Sequence, residues 1–491
     1  MEFAELIKTT KVDDVVLSCP GFQTIQGTLA ITSHHLLFSS QAEGDREQRR
    51  TELWLLIRNV DAIEKSIQNL SWYQSSWTNG SPPENRLANA SGTITLKCKD
   101  LKILQLEIPG MEECLNIANS IEALSSLESV MMTYPFFYRP QNTTLGTGWL
   151  THITEQYYKQ IASDAMLRSS QPLVGPNRKR CHEDELLLTT VLEGGERGFI
   201  LDTRSLQAAK QARVMGGGLE HRSCYHGWKR LHRALERGRS LQESFIKLVE
   251  ACNDPSAHMD RWLSRLEASK WLSHVKEALN AACLAAQCLE REEASVLVHG
   301  AEGKDATLLV TALAQVILDP TCRTLAGFQG LLEREWIQAG HPFQLRCFHS
   351  AYAHARLKQE APMFLLFLDC IWQLGRQFPF SLEFSEHLLL ALFEHCYASP
   401  CGTFLGNNEK ERRLCEMREK THCLWPHINH VEKYLNPLYM YNPLVIWPSV
   451  EPQSLMLWQG LFLRWVRSSH HLDEAWAEIQ RIATNSQTYS Q

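Results

Sequence analysis

Residues Val298–Thr307 read V-H-G-A-E-G-K-D-A-T, and this stretch decides how the second part of the chain folds. The β-branched and apolar run Ala294–Val298 comes before it, and Thr307–Leu318 (T-L-L-V-T-A-L-A-Q-V-I-L) follows with the apolar positions of a buried helix. A strand, a turn with two glycines and a helix N-terminus therefore stand in series. Such a junction points backbone N–H groups and the positive end of a helix dipole at one spot, which favours a phosphate. On these ten residues alone a plain structural turn is the simpler reading. Other chemistries fit worse. A Walker loop needs G-x-x-x-x-G-K-[ST], but Asp305 follows Gly303–Lys304 and Val298 stands at the upstream glycine position. The chain holds no G-x-S-x-G, H-E-x-x-H or C-x-x-C string.

The spacing resembles the active-site loop of the cysteine-dependent phosphatases, and among these the myotubularin variant H-C-x-x-G-x-D-R-T. His299, Gly303, Asp305 and Thr307 match it, whereas Gly300 stands at the nucleophile position and Ala306 at the arginine position. In that chemistry a thiolate attacks phosphorus and the arginine grips the equatorial oxygens of the transition state. Glycine has no side chain to form a phosphocysteine, and alanine makes no bidentate contact to phosphate. Losing one transition-state donor costs ~10²–10³-fold, and losing the nucleophile removes the route. Lys304 stands where active members carry tryptophan, and its ammonium is a point charge able to replace part of the lost arginine. With no nucleophile beside it, His299 reads as a loop-shaping hydrogen-bond donor rather than a base, and Asp305 has nothing to protonate.

The flanks carry the specificity. Asp319–Phe343 (D-P-T-C-R-T-L-A-G-F-Q-G-L-L-E-R-E-W-I-Q-A-G-H-P-F) is similar to the segment that follows the loop throughout the myotubularins. Ala361–Phe384, Gly402–Asn408 and Trp447–Trp465 continue the match, and Gly198–Arg204 (G-F-I-L-D-T-R), Gly216–Gly218 and Trp262–His274 extend it upstream. On these segments the chain is identified as a member of the myotubularin family over nearly its whole length, and as a catalytically inactive one. The resemblance implies a mixed α+β and α/β protein. A PH-GRAM β-barrel with one helix is expected over residues 1–130, a cysteine-phosphatase-like α/β domain with many helices over 131–480, and a tail over 481–491.

Composition agrees. A chain of 491 residues exceeds one ordinary core, and 44% hydrophobic with 21% charged residues is ordinary for a globular protein. A net charge of −6 gives no support to nucleic-acid binding. Fifteen scattered cysteines without a secretory h-region read as reduced cytosolic thiols. No apolar run approaches the ~18–20 residues that cross a bilayer, so membrane contact is expected to be peripheral. No cofactor or metal is implied.

In the N-terminal part, Asp14–Leu17, Gly27–Thr32, His35–Ser39, Leu53–Ile57, Thr93–Lys97 and Ile103–Ile108 are short strand-like runs, and Met111–Leu127 follows as an amphipathic helix. Tyr134–Pro140 reads as the junction. Three places depart from the family. Ser66–Ser91 is a polar, turn-rich insertion expected to form a mobile loop. Around Asn142–Ser170 roughly half a hundred residues of the family's phosphatase sheet are missing by comparison, which predicts an uncovered sheet edge and a less stable fold. After Leu472–Ile482 no sustained heptads follow, so pairing through a coiled coil is not expected, although folded domains can still hold a partner. Trp228–Arg239 (W-K-R-L-H-R-A-L-E-R-G-R) reads as a basic helical face, solvated in the first place and a surface for anionic lipid in the second. Arg178–Arg180 has the same two readings.

The resemblance implies a role as adaptor or regulatory subunit of active myotubularin-related phosphatases acting on phosphatidylinositol 3-phosphate and 3,5-bisphosphate. Partners would be those enzymes, in a heteromer, and a phosphoinositide membrane surface. The place would be cytoplasmic, peripherally bound to endomembranes. An autonomous lipid-binding module is the alternative.

Overall fold

The computed structural model describes residues 3–19, 24–40, 52–67, 91–140, 149, 165–172, 180–192, 197–214, 218–236, 238–254, 259–353, 359–429 and 431–465. The insertion read between residues 66 and 91 lies almost entirely outside these, as do most of 142–164 and the C-terminal segment after 465.

The N-terminal unit is one antiparallel sheet of β1 (Lys11–Ser18), β2 (Ile25–Ile31), β3 (His35–Ser40), β4 (Glu52–Leu56), β5 (Val60–Ile67), β6 (Gly92–Cys98) and β7 (Ile103–Ile108), in the order β4-β3-β2-β1-β7-β6-β5. Alternation sets its faces: Leu29 and Ile31 of β2 and Leu36 and Phe38 of β3 point inward. The helix α1 (Met111–Ser125) lays Ile117, Ala118, Ile121 and Leu124 on that core. The sheet is curled but not closed by pairing, because β4 and β5 form no ladder with each other among the described residues and are joined by a 3₁₀ turn at Ile57–Asn59. Strand β5 escapes the sequence reading because Asp61, Glu64 and Lys65 interrupt its apolar alternation.

Asp61 shows why a charge sits there. One of its oxygens, Oδ2, accepts the backbone N–H groups of Ala351, Tyr352 and Ala353 at 3.1, 2.9 and 3.0 Å, a charge-assisted clamp on the second unit. Nearby, the buried Lys99 Nζ donates to Phe348 O at 2.8 Å, and the Arg58 guanidinium lies 3.2 Å over the Phe348 ring.

The second unit contains β8 (Met166–Ser170), α2 (His182–Val191), β9 (Gly198–Asp202), α3 (Leu206–Val214), β10 (Trp228–His232), α4 (Arg239–Cys252), α5 (Met259–Ser269), α6 (Trp271–Glu290), β11 (Ser295–Gly300), α7 (Ala306–Leu318), α8 (Leu325–Leu332), α9 (Met363–Gln377) and α10 (Glu386–Tyr397). The four strands form a parallel sheet in the order β10-β9-β11-β8. The central strand β11 is buried at all six positions, whereas β8 lies at the edge with Arg168, Ser169 and Ser170 exposed. One face packs Ile200, Trp228 and Leu297 against Leu188 and Leu192 at α2. The other joins a large core built with α6, α7 and α9. The basic run Trp228–Arg239 is not a helical face: its first five residues are the edge strand β10, whose backbone pairs with β9, and a helix starts only at Arg239.

Within that core Asp369 of α9 is fully buried and accepts hydrogen bonds from Trp271 Nε1 at 2.7 Å and Gln373 Nε2 at 3.1 Å. Burial lifts its carboxyl to about 6 against those two donors. An unfolded aspartate titrates near about 3.9. The folded chain therefore holds this proton more tightly, and the resulting stabilisation is complete below about pH 4 and lost as pH rises through about 6. Asp369→Asn is expected to flatten that dependence by on the order of 2–3 kcal/mol, read from melting temperature against pH between 4 and 7. An unchanged slope would show that Asp369 is not the titrating group.

Candidate functional site: a phosphate loop without its nucleophile

Strand β11 ends at Gly300, the loop spans Ala301–Asp305, and α7 begins at Ala306. Gly303 makes the turn with φ +70°, and a Cβ there would lie 2.6 Å from Ser169 O and 2.9 Å from Ser170 N, so β8 passes directly against the loop. Gln171 N donates to Ala301 O at 3.4 Å and ties the same two segments.

Asp305 precedes α7 but does not cap it with its side chain. Its carboxylate faces Arg346, which donates from Nε at 3.1 Å and from Nη2 at 2.7 Å. His341 Nδ1 lies 3.3 Å from Asp305 Oδ1 and 2.9 Å from the Lys304 carbonyl; a carbonyl oxygen only accepts, so Nδ1 carries the proton. Burial pushes the Asp305 carboxyl up, but the bonds from His341 and Arg346 outweigh it and hold the group well below the usual carboxylate range. The acid is thus a loop anchor, ionised and held at both oxygens.

A shallow, open depression lies over the loop, lined by Gly300–Thr307 with Thr203 and Arg204. At its base a Cβ on Gly300 would stand 3.0 Å from Thr203 Oγ1 and 3.1 Å from Thr307 Oγ1. Thr203 Oγ1 donates to His299 O at 2.9 Å, whereas the buried Thr307 Oγ1 has no partner among the described residues. A nucleophile's place is thus a notch between two hydroxyls. The Ala306 side chain is buried and reaches no ligand, and Lys304 is exposed with no acceptor for Nζ among the described residues.

Arg204, the one guanidinium on the depression among the described residues, is spent. It donates to Asp202 from Nε and Nη2 at 3.0 and 2.9 Å and to Gln171 Oε1 and Gly218 O from Nη1 at 3.0 and 3.2 Å. Asp202, wholly buried, also receives Arg230 Nε at 3.2 Å. His299 Nε2 lies 2.9 Å from the buried Glu220 Oε1. His299, Gly300, Gly303, Lys304, Asp305, Ala306 and Thr307 therefore share one loop. The supporting Asp202, Arg204, Glu220, Arg230, His341 and Arg346 were not singled out by sequence reasoning. A charged D-T-R ending a buried strand was the available signal for the first two. Among the described residues no set of three or more metal-ligating side chains is arranged around an ion.

The model of the myotubularin-like phosphatase domain matches residues 133–413, more than half of the chain. The chain belongs to the myotubularin family. It is 53% identical over 552 residues to the myotubularin-related protein 9-like of Bos taurus, covering 99% of this chain and 97% of that one. With myotubularin-related protein 9 of Homo sapiens it shares 49% over 543 residues, covering 98% and 94%. With the phosphatidylinositol-3,5-bisphosphate 3-phosphatase MTMR6 of Mus musculus it shares 30% over 536 residues, covering 95% and 82%. The first alignment is longer than the 491 residues of this myotubularin, so the relative carries residues that this chain lacks.

Restoring both missing groups is expected to restore little. In Gly300→Cys/Ala306→Arg the new side chains enter crowded positions, and Asp305 stays ionised and bound, unable to give a proton to the leaving oxygen. Lack of a general acid alone costs about 10²–10⁴-fold. Phosphate release from phosphatidylinositol 3-phosphate should stay at least about 10²-fold below that of an active myotubularin. Turnover within tenfold would overturn this reading of Asp305.

Proposed function

We propose that this myotubularin is a pseudophosphatase that serves as adaptor or regulatory subunit of active myotubularin phosphoinositide 3-phosphatases. The observation that carries the reading is Gly300 at the place of the nucleophile, with Ala306 at the place of the phosphate-gripping arginine. The loop is anchored through Asp305 and the two cores are well packed, which suits a protein used for its surface rather than for turnover. Its similarity to MTMR6, a phosphatidylinositol-3,5-bisphosphate 3-phosphatase by name, makes such enzymes the partners to test first. In this reading the complex works on phosphatidylinositol 3-phosphate and 3,5-bisphosphate at the cytoplasmic side of endomembranes, held peripherally, with the N-terminal sheet as a PH-GRAM domain. No helix among the described residues is long and apolar enough to cross a membrane.

The test is phosphate release from phosphatidylinositol 3-phosphate by a purified active myotubularin, titrated with this chain, with this chain alone as control. A saturable change in the partner's rate with a silent control is expected. No change in rate, together with binding of the chain alone to liposomes carrying these lipids, would replace the regulatory reading by that of an autonomous membrane-binding module.

A further inference from the structure

From Tyr434 to Val450 the chain reads Y-L-N-P-L-Y-M-Y-N-P-L-V-I-W-P-S-V, without one charged side chain. Such a run is ordinary in a core, but here Met440, Tyr441 and Leu444 are 66, 62 and 71% exposed. Phe380, in the connection between α9 and α10, is 51% exposed beside them. Hydrogen bonds tie the two segments together. Met440 N donates to Phe380 O at 2.8 Å, and Asn436 Nδ2 donates to Pro379 O at 2.9 Å and Leu382 O at 2.8 Å. Buried Arg323 donates from Nη1 to Asn442 O at 3.0 Å and from Nη2 to Leu444 O at 2.8 Å. The apolar side chains are therefore presented from fixed backbone. Ile446 N donates to Ile317 O at 3.1 Å, at the C-terminal end of α7. That helix starts at the degenerate loop and is about 20 Å long, so the face lies at the end of the unit away from the loop.

The charged groups nearest in the fold are engaged by it. Arg323 is held by carbonyls, Asp319 accepts from Thr321 N at 2.8 Å and Thr321 Oγ1 at 2.7 Å, and Glu383 Oε2 accepts Leu325 N at 2.6 Å. Glu432, Lys433 and Glu451 flank the run in sequence and lie outside it. At about 200 Å² for a fully exposed side chain of this size, Phe380, Met440, Tyr441 and Leu444 expose roughly 500 Å², a size at which an apolar patch is often functional. Two such faces together bury about 1,000 Å², and the exposed Pro379, Pro437 and Pro443 bring the total towards the ~1,200 Å² at which specific interfaces begin. Composition agrees, because aromatic residues and Met are enriched in interfaces while Lys, Glu and Asp are depleted. An anionic membrane or a charged partner is recognised through opposite charge, which this face does not offer. Against a copy of itself it sets no charge opposite its like, as a two-fold contact requires.

We infer that this face pairs with its counterpart on a second copy of the chain, in a weak, symmetric and reversible dimer. The pairing goes beyond the regulatory role and does not depend on it. Sedimentation velocity of the full chain between about 1 and 100 µM at physiological salt tests it, the range in which a contact of this small area associates. Concentration-dependent dimerisation is expected. Met440→Glu/Leu444→Glu sets like charges against each other across the two-fold axis and should weaken association at least about tenfold. Val214→Glu, an equally exposed apolar-to-acid change on α3, should leave it unchanged. Met440→Lys/Leu444→Lys should weaken it as the acidic variant does, and an equimolar mixture of the acidic and basic chains should recover association, which a folding defect cannot produce. Circular dichroism and melting of each variant check the fold. A chain that stays monomeric over the whole range, a dimer that the acidic variant leaves intact, equal weakening by Val214→Glu, or a mixture that fails to recover pairing would overturn the inference. Binding of a monomeric wild type to phosphatidylcholine vesicles, lost in the acidic variant, would overturn it by assigning the face to a membrane.

Discussion

Gly303→Ala is expected to lower the melting transition by roughly 2–7 °C, corresponding to about 2–5 kcal/mol. Two costs act together. A non-glycine residue at φ +70° loses about 1–2 kcal/mol to the clash between Cβ and its own backbone. The added methyl also falls 2.6 Å from Ser169 O, 2.8 Å from Ser169 C and 2.9 Å from Ser170 N, and these are backbone atoms of a strand paired to β11. Neither segment can retreat alone, because Ser169 and Ser170 sit in register with His299 and Gly300. Overpacking of this kind costs about 1–3 kcal/mol. Glu302→Ala, an exposed change one residue away, is the control and should melt with the wild type. If Gly303→Ala melts unchanged, the loop has freedom that the described geometry denies it.

Asp305→Ala is expected to cost about 3–5 kcal/mol, since removing one partner strands a buried charge on the other. Among the described residues Arg346 would lose both carboxylate bonds and keep Gln359 O alone, and the His341 proton would keep the Lys304 carbonyl alone. Removing the stranded charge as well, in Asp305→Ala/Arg346→Met, should recover part of the loss, and the cycle of single and double variants measures the coupling. The pH dependence is the signature. The folded carboxyl titrates below its unfolded value of about 3.9, so its contribution is present above that value and is lost as pH falls through the acid range. Wild type should therefore lose stability below about pH 4 more steeply than Asp305→Ala. Parallel acid limbs in the two proteins would remove Asp305 from the list of anchors.

Both results concern support rather than chemistry, and this is where sequence and tertiary structure divide. The strand, glycine turn and helix of residues 294–318 were legible because their causes are local: apolar period, turn glycine and helix start all act within a few residues. The curled N-terminal sheet was legible for the same reason, except for β5. There Asp61 interrupts the alternation because its partners are the N–H groups of Ala351–Ala353, nearly three hundred positions away. The run Trp228–Arg239 misled in the opposite sense. Its spacing of basic residues suits a helix, but pairing with Gly198–Asp202 makes its start a strand and sends Arg230 to Asp202.

The sequence by itself determined that the loop has no thiol and no gripping arginine, because the presence of an atom is a covalent fact that no folding can alter. It also determined the family, through long segments whose order and spacing match. Only the tertiary structure decided that Asp305 is an anchor rather than an acid, that Arg204 is spent on Asp202, and that the Thr307 hydroxyl beside Gly300 has no partner among the described residues. Those are choices among many partners of like charge scattered along the chain, and burial and distance, which exist only after folding, make the choice.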